Sequence, residues 1–161
     1  EVSIRNELPW ISKHLKSLKL NYSRAPFYSE VLSVLEPVVA YKHRFLVDLN
    51  IELIRSIATY LGINREIILS SDTATVKYHK TERILRLCEI TNATHYLTGD
   101  SAESYLDQGA FLRNGIVLEW HRYDHPVYSQ LWGDFVGYLS IVDLLFNHGH
   151  DSLEILRDEK A

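Results

Sequence analysis

The stretch Tyr123–Gly149, YDHPVYSQLWGDFVGYLSIVDLLFNHG, decides how the rest of the chain is read. It begins as a polar, aromatic loop and runs straight into the most apolar segment present, Tyr138–Phe146, interrupted only by Ser140 and Asp143. A segment apolar on nearly every face is expected to be a helix buried in the centre of a domain. Ser140 followed three residues later by Asp143 has the spacing of a hydroxyl N-cap with an acidic N3 partner, which marks the helix start. A loop rich in His, Tyr and Gln that is pinned by a buried helix is a favourable place for a site.

Working outward, the N-terminal side is helical. Val2 and Ile4 alternate with polar neighbours as a short edge strand would, and Pro9 stands where a first helical turn tolerates it. Ile11, Leu15, Leu18 and Tyr22 then recur at helical spacing until Arg24-Ala25-Pro26. A second helix is predicted from Tyr28 to Leu35, before Pro37 perturbs it. Leu46, Leu49, Leu53, Ile57 and Tyr60 form one stripe of a third helix, with Gly62 placed to close it in a left-handed cap.

Ile67-Ile68-Leu69 reads as a short buried strand, and Thr81 begins a helix with Ile84, Leu85, Leu87 and Cys88 inward. Tyr96-Leu97 is a second strand, ended by Thr98-Gly99-Asp100-Ser101. Asp100 and Glu103 form another capping-box pattern, predicting a short helix to about Asp107. Ile116, Leu118 and Trp120 alternate as a third strand, and a last, polar-faced helix is expected from about Ser152 to the end. Strands separated by helices imply a helix-rich α/β fold with a small, partly parallel central sheet.

The 161 residues fit a single domain or fragment spanning 1–161, and 46% hydrophobic with 24% charged residues is ordinary globular composition. A net charge of -4 with no basic run disfavours nucleic acid, which calls for a stripe of lysine and arginine. No apolar run approaches the roughly 20 residues of a membrane span. The single cysteine, Cys88, permits no internal disulfide and fits a reducing, cytoplasmic setting. There is no methionine, even at position 1, so the chain reads as cut or processed from something longer.

Several constellations carry chemistry, each beside a plainer reading. His125-Pro126-Val127-Tyr128-Ser129-Gln130 brings a general base, a phenol and an amide into six residues, or is a rigid loop whose aromatics pack on the core. The turn at Gly99 and Ser101 joins a strand to a helix start, where N–H groups could hold a phosphate; Asp100 could cap them instead. Lys80 at another helix start could hold an anion or simply be solvated. His121, Asp124 and His125, and then His148, His150 and Asp151, are short of a zinc set, since the strand pattern and Pro126 keep His121 and His125 off one helical face. Metal binding is therefore not expected. Cys88 on an apolar face is expected to be inert. Ser140 and Asp143 are expected to form a cap and not a catalytic pair.

Taken together, Tyr96-Leu97-Thr98-Gly99, Tyr105-Leu106, Gly115-Ile116, Tyr123, His125-Pro126, Tyr128, Gln130 and Leu139-Ser140-Ile141-Val142-Asp143-Leu144-Leu145-Phe146-Asn147-His148-Gly149 resemble the WbqC-like protein family. Trp10, Lys13-His14, Tyr22, Ala25-Pro26-Phe27, Ser70 and Lys80-Thr81 extend the likeness upstream. The opening His-Gln-Pro-Asn-Tyr-Leu-Pro-Trp and the Asp-Asp-Val-Gln-Phe region of that family are absent, so the chain resembles the C-terminal two-thirds of such a protein. The resemblance implies a role in surface-polysaccharide (O-antigen) biosynthesis, with acyl or aminoacyl transfer to an amino sugar or nucleotide-sugar as the reaction. His125 is then the expected base, Tyr128 and Gln130 orient the substrate, and Gly99, Ser101 and Lys80 attend a phosphate. All are expected in one pocket, beside the glycine turn. The alternatives are a non-catalytic module that binds a small molecule or a partner, and a metal-dependent hydrolase.

Overall fold

The computed structural model describes residues 2–157. The chain divides into two compact units, one made of Glu1–Arg65 with His125–Ala161, the other of Glu66–Asp124.

In the first unit, α1 (Trp10–Tyr22), α2 (Tyr28–Ala40) and α3 (Leu46–Tyr60) are followed, after the second unit, by α6 (Ile141–His148) and α7 (Ser152–Arg157). Ile11, Leu15, Leu18 and Tyr22 form the half-buried face of α1, as their spacing predicts. The core gathers Ala25, Val31, Leu35, Leu61, Leu145 and Phe146. The helix α2 does not stop before Pro37 but continues through it to Ala40. Proline removes one backbone bond, yet Val38 and Val39 beyond it are buried, and burying two valine side chains contributes about 3 kcal/mol or more. That offsets the lost bond. Helix α3 closes as predicted: Gly62 has φ of +70°, and the N–H groups of Gly62 and Ile63 donate to the carbonyls of Thr59 and Ala58. The expected N-terminal strand reduces to one antiparallel bridge, Ser3 with Phe45.

Gly149, just past α6, has φ of +54°, and a Cβ there would collide with the ring of Phe27. Only glycine lets the ring rest on the backbone at this point. The final helix is described to Arg157, and its expected run to the chain end lies outside the described residues.

The second unit holds α4 (Lys80–Ile90), β1 (His95–Gly99), α5 (Gln108–Arg113) and β2 (Val117–His121). The strands pair in parallel, Tyr96 opposite Leu118 and Thr98 opposite Trp120, which gives the small parallel sheet of a helix-rich α/β fold. Leu106, Phe111 and Ala102 are its buried centre, with Ile84, Leu85, Tyr96, Ile116, Leu118 and Trp120 against them. Ile67–Leu69 is not a strand. Ile68 is 51% exposed, and the segment finds no sheet partner before a 3-10 turn at Ser70–Asp72. The short helix predicted from Asp100 is also only a 3-10 turn, Asp100–Ala102. The regular helix begins instead at Gln108, where the Asp107 carboxylate accepts the Ala110 N–H at 3.1 Å.

Candidate functional site

The helix α6 starts where Ser140 predicts, its hydroxyl accepting the Val142 N–H at 3.4 Å. Tyr138 and Leu139 are exposed and precede the helix, so the buried element is shorter than the apolar run. Asp143 departs from the capping-box expectation. The residue is only 5% exposed, and its carboxylate bonds to the His-Pro loop and not to the Ser140 N–H. A buried carboxylate is costly unless donors surround it. Here Oδ2 accepts from the Tyr128 hydroxyl at 2.9 Å and from Gln130 Nε2 at 3.0 Å. The Tyr22 phenol feels the same carboxylate: burial, and then the influence of Asp143, push its pKa up to about 12.

One carboxylate thus joins two residues of the His-Pro loop to α6. Gln130 also clamps its own loop, Nε2 donating to the Val136 carbonyl at 2.9 Å and Oε1 accepting the Val136 N–H at 2.8 Å. Farther along, the Trp132 indole N–H donates to the Asn21 carbonyl at 2.8 Å and the Arg24 guanidinium lies 4.3 Å over its ring. The His148 Nε2, at the other end of α6, lies 3.0 Å from the Ser129 carbonyl.

His125 is half-buried at the head of this loop. Its Nδ1 lies 2.9 Å from the Pro126 carbonyl oxygen. A carbonyl only accepts, so in the neutral ring Nδ1 carries the hydrogen and Nε2 is the basic nitrogen. Aromatic rings surround the imidazole: Tyr138 at 4.9 Å between centroids, Phe135 at 5.9 Å and Tyr128 at 6.1 Å. The structure therefore places His125 beside Tyr128 in one loop, and Tyr128 and Gln130 of that loop are tied to α6. The other histidines fall elsewhere. His150 stacks on Tyr60 at 4.3 Å and meets Glu30 at 3.0 Å, while His121 stacks on Tyr123 at 5.7 Å. Among the described residues no three His, Cys, Asp or Glu side chains are grouped as a metal would need.

Gly99, Ser101 and Lys80 belong to the second unit. Gly99 ends β1, and the space above its Cα is open. That is the carboxyl end of the two parallel strands, the end at which open α/β sheets receive ligands. The Asp100 side chain does not cap the turn that follows; it sits 3.8 Å from Nε of Arg122. Lys80 is exposed at the first position of α4, and the neighbouring Thr81 hydroxyl accepts the Asp107 N–H at 3.0 Å. A cavity of about 670 Å³ lies at the other end of the strands, among Arg86, Cys88, Asn92, Thr94 and Asn114, and none of the expected site residues lines it. Burial raises the pKa of the Cys88 thiol, which keeps it protonated there.

The capping spacing of Ser140 and Asp143 does not show that Asp143 turns inward. One signal does, an acid inside the most apolar run, which must find buried donors. No local pattern marks Tyr22, which lies far from Asp143 in sequence.

The profile of the WbqC-like protein family matches residues 1–155. An uncharacterized protein of Mycobacterium tuberculosis is 39% identical over 150 residues, which cover 92% of this chain and 64% of that relative. The chain therefore spans a little less of that relative than the two-thirds its motifs suggest. No solved structure matches it significantly. Among the described residues no helix is long and apolar enough to cross a membrane.

Proposed function

Since the chain belongs to the WbqC-like protein family, we propose that the protein transfers an acyl or aminoacyl group to the amine of an amino sugar or nucleotide-sugar, in the cytoplasmic stage of surface-polysaccharide (O-antigen) synthesis. The observation that carries this reading is the setting of His125, whose Nδ1 is committed to the Pro126 carbonyl so that Nε2 is the basic atom.

In the proposed step the sugar amine attacks the carbonyl carbon of an activated ester or thioester donor. A C–N bond forms, His125 Nε2 takes the proton that the nitrogen sheds, and the leaving group departs with the electron pair of the broken acyl bond. The imidazolium then returns its proton to that leaving group. Tyr128 and Gln130 orient substrate by fixing the loop, because their polar ends are held by Asp143 and Val136. Gly99, Ser101 and Lys80 are proposed to attend a phosphate at the carboxyl end of the strand pair.

The test is His125→Ala in the whole protein, with transfer to nucleotide-linked amino sugars followed directly. A fall of about 10² to 10⁴ in kcat is expected, with the circular dichroism spectrum unchanged. An undiminished rate would remove His125 as the base. The internal commitment of Tyr128 and Gln130 favours one other reading, a module that binds such a ligand without chemistry. Nucleotide-sugar binding with no turnover in any donor condition would support it.

A further inference from the structure

Three non-glycine residues among those described have positive φ, and Tyr138, at +60°, is the bulkiest of them. Left-handed backbone is unfavourable for a bulky side chain, and glycine would adopt it without that cost. Packing does not redeem the strain, because the Tyr138 side chain is 81% exposed. Capping does not explain it either, since Ser140 caps α6. What this conformation does is hold the phenol ring 4.9 Å from the His125 ring, which also has Phe135 at 5.9 Å. Strained residues that neither pack nor cap concentrate at ligand sites.

We infer that Tyr138 is a stacking platform for the pyranose ring of the acceptor, an inference that rests on the proposed sugar chemistry at His125. An aromatic face carries negative quadrupole charge, and one face of a pyranose presents weakly positive C–H bonds of matching extent. A sugar lying on this ring would bring its substituents to the edge of the imidazole. The ring would then determine which amine is presented to Nε2, making Tyr138 a specificity-determining residue.

The experiment measures, by calorimetry on the whole protein, the binding of UDP- and dTDP-linked amino sugars that differ in the position of the amine, with UDP and dTDP alone as controls. Tyr138→Gly should raise the melting temperature, because the backbone strain is relieved, and should weaken sugar-nucleotide binding by about tenfold or more while leaving the free nucleotides unaffected. Tyr138→Phe, which keeps the ring, should bind within about threefold of the parent protein. A lower melting temperature in Tyr138→Gly would make the residue structural and overturn the inference. So would equal weakening of nucleotide and nucleotide-sugar, which would mean the ring receives a base. Unchanged binding in Tyr138→Gly, with turnover lost in His125→Ala, would overturn the platform alone. Absence of binding and turnover in the parent protein would overturn the proposed function with it.

Discussion

Two loops differ in how they are held. The His125–Gln130 segment is fastened through a buried carboxylate, with Tyr128 and Gln130 both donating to Asp143. The turn at Gly99–Ser101 has an acid of its own, Asp100, but that acid is exposed and meets Arg122 only at 3.8 Å. The contrast lies in solvent, not in the number of polar groups. Away from water an unpaired carboxylate costs several kcal/mol, so its partners are obligatory and rigid. In water the same pairing is optional, worth about 0–1 kcal/mol, and leaves the turn adjustable. A rigid frame suits a base that must be placed to a fraction of an ångström, and an adjustable turn suits the arrival of an anion.

The largest effect that can test this contrast is expected from Asp143→Ala, which strands two donors. Thermal denaturation should show a loss of about 3–5 kcal/mol, whereas Asp143→Asn, keeping one acceptor, should lose less. A loss below about 1 kcal/mol for the alanine variant would mean the carboxylate does not organise the loop.

An intermediate effect is expected from pH. Folding raises the Tyr22 pKa from its ordinary value near 10 to about 12, so the folded state favours the protonated phenol. Its stabilising contribution is complete below pH 10 and is lost as pH rises from about 10 to 12. Tyr22→Phe should flatten a share of that part of the stability profile, and the late-ionising tyrosinate absorbance, to which Tyr60 and Tyr123 also contribute, should fall by one residue. A profile identical in the two proteins would break the link between Tyr22 and Asp143. The smallest effect belongs to the second unit: Arg122→Ala should change its melting by less than about 1 kcal/mol. A loss as large as that of Asp143→Ala would erase the distinction between the loops.

Much of this organisation can be read from the sequence. The stripe of α1, that of α3 except for the exposed Leu46, the Gly62 cap, the two strands and the Ser140 start of α6 are local patterns, and they form as their spacing predicts. The errors come from competition that spacing does not report. Pro37 is overruled by the burial of Val38 and Val39. Ile67–Leu69 has strand composition but no strand to pair with. The helix expected from Asp100 to about Asp107 starts instead behind Asp107, whose carboxylate caps it, and Phe111 on that helix fills the core of the second unit. At the site, the residues of the His-Pro loop were visible as chemistry. The carboxylate holding them was hidden by a capping spacing that also fits it.

One consequence concerns the order in which the protein can be made. The first unit is discontinuous, with residues 66–124 between its halves. During synthesis the apolar side of α2, Val31 and Leu35, leaves the ribosome long before Leu145 and Phe146, the residues that cover it. The uninterrupted second unit has only local connections to make and is free to close first. Until the C-terminal helix emerges, the nascent chain carries an open greasy face, the surface that chaperones bind and that aggregates form from.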